Sequence, residues 1–398
     1  MQNFDEFIEQ VREANPIEDV ISESGIVLKG GHTKHGTAKG TQSLIVKCDW
    51  GRAFWYSQSW NGDVFAWVMR EKGLDFMGAL DVLARRAHVE MPKFSQGVIS
   101  EQRMKINRAT ADVYSVATQV FHRFLVGDAA GADGSGSETR AERFEADAAA
   151  LEYARGRGWK DETLRKEVVG FSGRKTEAQV AEMKKELQLF GVDLNSPAAV
   201  SIFGFQGDVM AWANAAGLGA EAKEEGWDDK TRIHGLMDTP GLIYAHQWRG
   251  AVTYLSRRQL PGFDVIKEAD GERPWKSFNP NKILAGAKAV YVNHAERSDR
   301  PLICVEGQGD AISFSQLGFG AVAFCGLMGE IGNMSPEEAE RLRKLAGWIN
   351  KHPAVYLFLD DDAPGQKAIR QAAHLLGMKV QIGRMTRLMA RDEDNNVE

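Results

Sequence analysis

Two short apolar runs near the end of the chain each finish on carboxylates and glycine. The first is Leu302-Ile-Cys-Val-Glu306-Gly-Gln-Gly-Asp310; the second is Val355-Tyr-Leu-Phe-Leu-Asp360-Asp-Asp362-Ala-Pro-Gly365. A helical pattern follows each, over 311–317 and 366–376. Strand and helix in alternation favour a parallel α/β sheet. Such sheets gather ligands at the carboxyl ends of their strands. The pattern therefore predicts one rim carrying Glu306, Asp310, Asp360 and Asp362. Crowded oxygen ligands suit a hard cation such as Mg²⁺ or Mn²⁺. Two such ions position a nucleophile and neutralise a polyphosphate leaving group. Gly307, Gly309 and Gly365 leave room for a phosphate against the backbone, and Pro364 fits the first turn of a helix. One strand-end Asp is read more simply as a helix cap; two such clusters in one α/β unit favour the metal.

These residues carry a resemblance. Val305-Glu306-Gly307 with Asp310 resembles the first acidic motif of the Toprim domain, and Asp360-x-Asp362-x-x-Gly365 its second. Gly326, after Ala321-Val-Ala-Phe-Cys325, matches the small residue that closes the next strand. DnaG-type primases, topoisomerases and some nucleases share this domain.

The remaining chain narrows the choice. Its 398 residues allow two or three domains, and 43% hydrophobic content supports real cores. The net charge of −6 excludes a uniformly basic nucleic-acid binder and leaves room only for a local basic stripe. Cys48, Cys304 and Cys325 are too scattered for a disulfide framework, which fits a reducing, cytoplasmic setting. The acidic start lacks a signal-peptide pattern, and no run reaches the length needed to span a membrane.

Along residues 1–95, apolar spacing predicts helices over 4–14, 17–22, 62–70 and 76–86. Residues 43–48 and 52–56 read as paired strands, and 30–40 as a polar, Gly-rich segment. Pro16-Ile-Glu-Asp-Val-Ile21, Gly62-Asp-Val-Phe65 and Gly73-Leu-Asp-Phe76 resemble the template-reading zinc ribbon of DnaG-type primases. Trp55 and Gln58 stand where that family has its second pair of zinc cysteines. His32, His35 and Cys48 supply three ligands at most, and a structural zinc wants four, so zinc is not expected. Trp55 and Trp60 either fill the vacated space or stack on bases of a single strand.

Residues 96–147 read as a helix over 102–126 and a Gly-rich linker. Residues 148–296 read as a basic α+β subdomain, and 297–398 as the Toprim sheet. Within 148–296, the run 150–171 resembles the opening of the DnaG-type catalytic core. Residues 191–235 carry no motif, but their aromatics argue for a folded insertion. Residues 241–258 predict a hairpin turning at Arg249-Gly250. Gly250 before a strand ending on Arg258, and Lys276-Ser-Phe-Asn279, match the same family. The resemblance implies that Arg258 and Lys276 grip template phosphate or triphosphate, with Asn279 beside them in the binding segment; Arg257, Arg273 and Lys282 extend the stripe. Asp392 is the nearest match to a further family carboxylate near the end of the chain.

Ribbon, basic core and Toprim in this order imply an α/β multidomain primase. The expected activity is metal-dependent nucleotidyl transfer from NTPs, making short RNA primers on single-stranded DNA. Glu306, Asp360 and Asp362 would be catalytic with Arg258 and Lys276, and a replicative helicase would be a further partner. The alternatives are a Toprim nuclease or recombination factor, and a non-catalytic nucleic-acid-binding accessory of a mobile element.

Overall fold

The structure is a computed structural model describing residues 4–74, 76–90, 101–127, 145–248, 251–262, 277–286, 290–293, 300–326, 336–360, 363–376 and 380–382. The protein is a multidomain α/β chain. It divides into two compact units, Met1–Arg157 with Leu164–Lys288, and Gly158–Thr163 with Ala289–Glu398.

The first unit opens on α1 (Phe4–Glu13) and α2 (Ile17–Glu23). Pro16 disfavours helical backbone at Asn15, which separates them. Asn15 is buried; its Nδ2 donates to the carbonyls of Val11 (2.6 Å) and Leu83 (3.1 Å), and its Oδ1 accepts from Arg86 (2.8 Å). An antiparallel sheet follows in the order β1 (Leu28–Gly30), β2 (Thr33–Gly36), β3 (Leu44–Lys47), β4 (Arg52–Trp55) and β5 (Trp60–Asp63). β3 and β4 pair as the sequence predicts. One expectation is corrected, and one segment with no element assigned gains strands. The polar segment 30–40 supplies β2 and the end of β1. Residues 62–70 are not one helix: Gly62 and Asp63 finish β5. Gly62 is needed there, since a Cβ would lie 2.5 Å from that of Ala66. Asp63 then caps α3 (Val64–Lys72), its Oδ1 accepting the Ala66 N–H at 2.9 Å. With α4 (Phe76–Arg86), these elements bury Phe7, Val11, Ile21, Leu44, Phe65, Trp67 and Leu80 in one core. Each such side chain contributes about 1.5–3 kcal/mol by leaving water.

The unit continues with α5 (Glu101–Val126), α6 (Ala148–Gly156), α7 (Asp161–Lys166), β6 (Gly170–Phe171) and α8 (Glu177–Leu189). Val113, Val116, Val120, Phe121 and Phe124 are buried, as their spacing predicts. They make α5 a core element rather than part of a linker. The Gly-rich stretch from 128 onward lies outside the described residues. Thr176 and Gln179 form a capping box at α8. Helices α9 (Pro197–Phe203), α10 (Val209–Ala215) and α11 (Gly219–Glu224) bury Val209, Trp212, Ala222 and Ile233, so the insertion is folded. The hairpin β7 (Gly241–Trp248) and β8 (Ala251–Gln259) forms as predicted; its turn at Arg249-Gly250 lies outside the described residues. β9 (Ser277–Phe278) pairs with β8, and α12 (Lys282–Ala285) follows.

The second unit contains β10 (Tyr291–Asn293), β11 (Leu302–Val305), α13 (Gln308–Gln316), β12 (Gly320–Ala323), α14 (Pro336–Ile349), β13 (Val355–Phe358), α15 (Ala363–Leu376) and β14 (Val380–Ile382). β14, β13, β11 and β12 lie side by side in parallel. β10 departs from that pattern and runs antiparallel to β12. Every residue of β11 is buried, as expected of a central strand covered on both faces. Residues 158–163 clasp α13. Trp159 Nε1 donates to Ser313 Oγ (3.0 Å). Gln316 Oε1 accepts from the Lys160 N–H and from Thr163 Oγ1, both at 2.8 Å.

Candidate active site

The acidic rim follows from strand register. β11 and β13 are parallel neighbours with Val305 opposite Phe358. Glu306 leaves β11 one residue later, and Asp360 leaves β13 two residues later. Adjacent strands lie about 4.8 Å apart, so both carboxylates emerge at one carboxyl-end rim. Glu306 is half-buried and Asp360 exposed. The Glu306 backbone is fixed from just past β12, where the Cys325 N–H donates to its carbonyl at 2.8 Å. Asp310 sits in the first turn of α13. Its Oδ2 would lie 3.2 Å from a Cβ at Gly307, so the glycine keeps space beside that carboxylate.

Glu306, Asp310 and Asp360 are thus carried on one unit at one end of its sheet. Asp362 and Asp392 lie outside the described residues. Among the described residues, no three His, Cys, Asp or Glu side chains converge on a metal-sized space. The donors present are carboxylate oxygens, which match Mg²⁺ or Mn²⁺ in kind.

The basic residues of the other unit divide. Arg257 is expected to bind nucleic acid, and its position overturns this. It is 1% exposed, and Nη1 donates to the carbonyls of Leu236 (2.6 Å) and Gly235 (3.2 Å). Its guanidinium lies 4.8 Å from the Phe278 ring centroid. Burial pushes its pKa down to about 10, against a smaller opposing pull from Asp238. Arg258, one residue on, is half-exposed. Asn279 is exposed just beyond β9, and Lys282 is an exposed residue whose Nζ lies 2.5 Å from Glu225 Oε1. Arg273 and Lys276 lie outside the described residues.

In the ribbon-like sheet, Trp55 and Trp60 are half-buried against the core. Trp55 stacks on Trp67 at 5.9 Å, and Trp60 meets Trp67 edge-on at 5.4 Å. The Arg70 guanidinium lies over both rings, 4.9 Å from Trp55 and 5.4 Å from Trp60. Each ring packs on the core with one part and keeps another part accessible. His32 Nδ1 faces Asp49 Oδ1 at 3.0 Å. Cys48 is pushed up to about 12, first by burial and then by Glu18.

Sequence reading leaves Lys175, Lys184, Phe203 and Phe205 without a role. They line a cavity of about 230 Å³ in the first unit. The aromatic content of the insertion was the one signal that pointed there.

Comparison with known proteins adds the following. Residues 300–386 match the family model of the Toprim domain. No curated protein matches the chain. Among solved structures, the Aquifex aeolicus primase (zinc binding and RNA polymerase domains) is 19% identical, covers 96% of this chain and 79% of its own, with a TM-score of 0.45. The DnaG primase catalytic domain bound to ssDNA is 15% identical over 71% of this chain and 74% of its own, with a TM-score of 0.40. The primase fragment of the bacteriophage T7 primase-helicase protein is 15% identical over 40% and 58%, with a TM-score of 0.26.

Proposed function

We propose, with residues 300–386 as a Toprim domain, that this protein is a nucleotidyl transferase of the primase type. In this reading it extends short RNA from NTPs on a single-stranded DNA template. The observation that supports it most directly is the parallel pairing of β11 with β13, which delivers Glu306 and Asp360 to the same rim. Glu306, Asp310, Asp360 and Asp362 are the residues that would hold a divalent cation. Such a cation, when bound, neutralises triphosphate charge and favours the ionised form of the attacking hydroxyl. The chain's own contribution is positional. The buried β11 and the Cys325-to-Glu306 hydrogen bond hold one carboxylate in place, and β13 holds the other. Arg258 and Lys276 are assigned to phosphate, where a guanidinium fork and a mobile ammonium serve different contacts.

The test is primer synthesis by the full chain with NTPs, Mg²⁺ and single-stranded DNA. Asp360→Ala should lower the yield about 100-fold, the scale of losing one charged stabiliser of the transition state. Unchanged yield in that variant would overturn the assignment. Cleavage of plain DNA without NTPs would move the same carboxylates to a nuclease.

A further inference from the structure

The cavity in the first unit lies between α8 and the end of α9, away from any carboxylate of the acidic rim in sequence. Its volume, about 230 Å³, falls below the ~300 Å³ where drug-sized ligands begin, so it admits one ring system and little more. Val180, Phe203, Phe205, Ile233 and Met237 give apolar and aromatic wall, and Gln206 and Asp238 give polar wall. Both phenylalanines are half-buried, so part of each ring remains accessible. Phe205 is steadied from behind by Trp212, 5.6 Å between centroids, and by a backbone bridge to Ile233.

The rim is cationic. Lys184 is exposed, and its ammonium lies 5.8 Å from the centre of the Phe203 ring. Lys175 keeps 43% of its side chain exposed while bonding Asp238 Oδ1 at 2.5 Å. Asp238 is itself fixed by the Gly235 N–H, which donates to Oδ2 at 2.9 Å. Burial works to raise the Asp238 pKa, but the bonds from Lys175 and Gly235 outweigh it and hold the carboxyl below its ordinary range. Asp238 therefore stays anionic and anchors the Lys175 ammonium at the mouth. A flat ring inside with an anion outside is the chemistry of a nucleotide: the base meets aromatic faces and the phosphate meets lysines.

We propose that this cavity is a nucleotide-binding site, distinct from the acidic rim, that takes a base against Phe203 and Phe205 and its phosphate at Lys175 and Lys184. The nucleotide comes either as a free nucleoside phosphate or as one residue of a single strand; the chemistry is common to both. The inference stands on the cavity alone and holds whether or not the acidic rim polymerises.

Photo-cross-linking of the full chain tests it, run in chelator so that no cation holds a phosphate elsewhere. The probes are 8-azido-AMP and a dT oligomer bearing one 5-iodouracil, with attachment mapped by mass spectrometry. Label is expected within 203–206. Val180→Phe fills the cavity and should abolish it. Lys184→Gln, on the surface, should weaken binding about tenfold, as for one lost charge-assisted hydrogen bond. Label from the azido nucleotide alone assigns a site for free nucleotides; label from the oligomer assigns a station on a strand's path. Absence of label at 203–206 with both probes overturns the proposal. So does label that survives both substitutions in protein with an unchanged melting curve.

Discussion

Arg257 and Arg258 stand side by side on β8 and meet different surroundings. Successive strand residues point to opposite faces, so one of two adjacent arginines must turn toward whatever covers the sheet. Here that is Arg257, folded against Gly241 and Phe278 and bonded to two backbone carbonyls. Its Nε finds no hydrogen-bond partner among the described residues, so burial is only partly compensated. Arg257→Ala should still cost about 2–4 kcal/mol, because the carbonyls of Gly235 and Leu236 lose their donor and a cavity opens. Arg258→Ala should leave stability within about 0.5 kcal/mol and instead weaken single-strand binding, with a shallower salt dependence. Chemical denaturation and a salt titration of DNA affinity separate the two. The sequence marks the pair but not the member that turns inward, because β8 has buried residues on both faces: Tyr254 and Ser256 on one, Leu255 and Arg257 on the other. His122 gives a second residue-scale expectation. Burial pushes it down to about 4, against the Val169 carbonyl, which accepts its Nδ1–H at 2.7 Å and works to raise it, and with smaller help from Lys47 and Arg165. The unfolded chain then binds more protons between roughly pH 6.5 and 4. Stability present above pH 6.5 is lost as pH falls through that window, by about 2 kcal/mol for a side chain that keeps some exposure. Urea melts of the protein and of His122→Gln at pH 7 and pH 4.5 should differ by that increment.

At the level of elements, legibility followed the strength of the periodic signal. α4 and α5 carry apolar residues at helical spacing and were visible in the chain. β1 and β2 were not, because Lys29, Gly30, Thr33 and Lys34 bury almost no apolar surface. β5 was hidden for another reason: Trp60 and Gly62 fit the apolar register of the following helix, and only packing between Gly62 and Ala66 separates strand from helix. The acidic strands were legible because a buried run of four residues followed by Glu306 is a local signal. What covers the apolar face of α5 was not, since spacing marks the face but names no partner for it. The contact of α5 with β6 is close. A Cβ on Gly170 would lie 2.7 Å from the Phe121 Cβ and 3.0 Å from its carbonyl carbon. Neither is the flexible end of a side chain, so strand and helix must separate to accept it. Gly170→Ala is expected to lower stability by about 1–3 kcal/mol, the usual cost of overpacking. Gly156→Ala, with open space around its Cβ position, should not. Thermal melts of the two variants make the comparison.

Across the whole molecule, the chain enters the second unit twice, once for 158–163 and again from 289 onward. The first visit is brief, yet it fills a specific place. Trp159 is 2% exposed, and its indole N–H is satisfied by Ser313 on α13. The Gln316 side chain is used at both ends, accepting from Lys160 and Thr163 and donating to the Gly158 carbonyl at 2.9 Å. α13 also carries Asp310, so the clasp steadies the helix that presents an acid of the candidate site. A fragment starting at 289 would lack this clasp although it would include every residue of the Toprim match. Trp159→Ala should therefore cost about 3–5 kcal/mol of local stability, the range for emptying a buried tryptophan site. Because the side chain belongs to one unit, the loss should be confined to it. Amide exchange in α13 and β11 is expected to accelerate, while α5 and β3 keep their protection. If Trp159→Ala leaves α13 exchange unchanged, the clasp contributes nothing to holding Asp310. If it speeds exchange equally in α5, the two units do not open independently, and the effects of acidic-rim substitutions would have to be read against the stability of the entire chain.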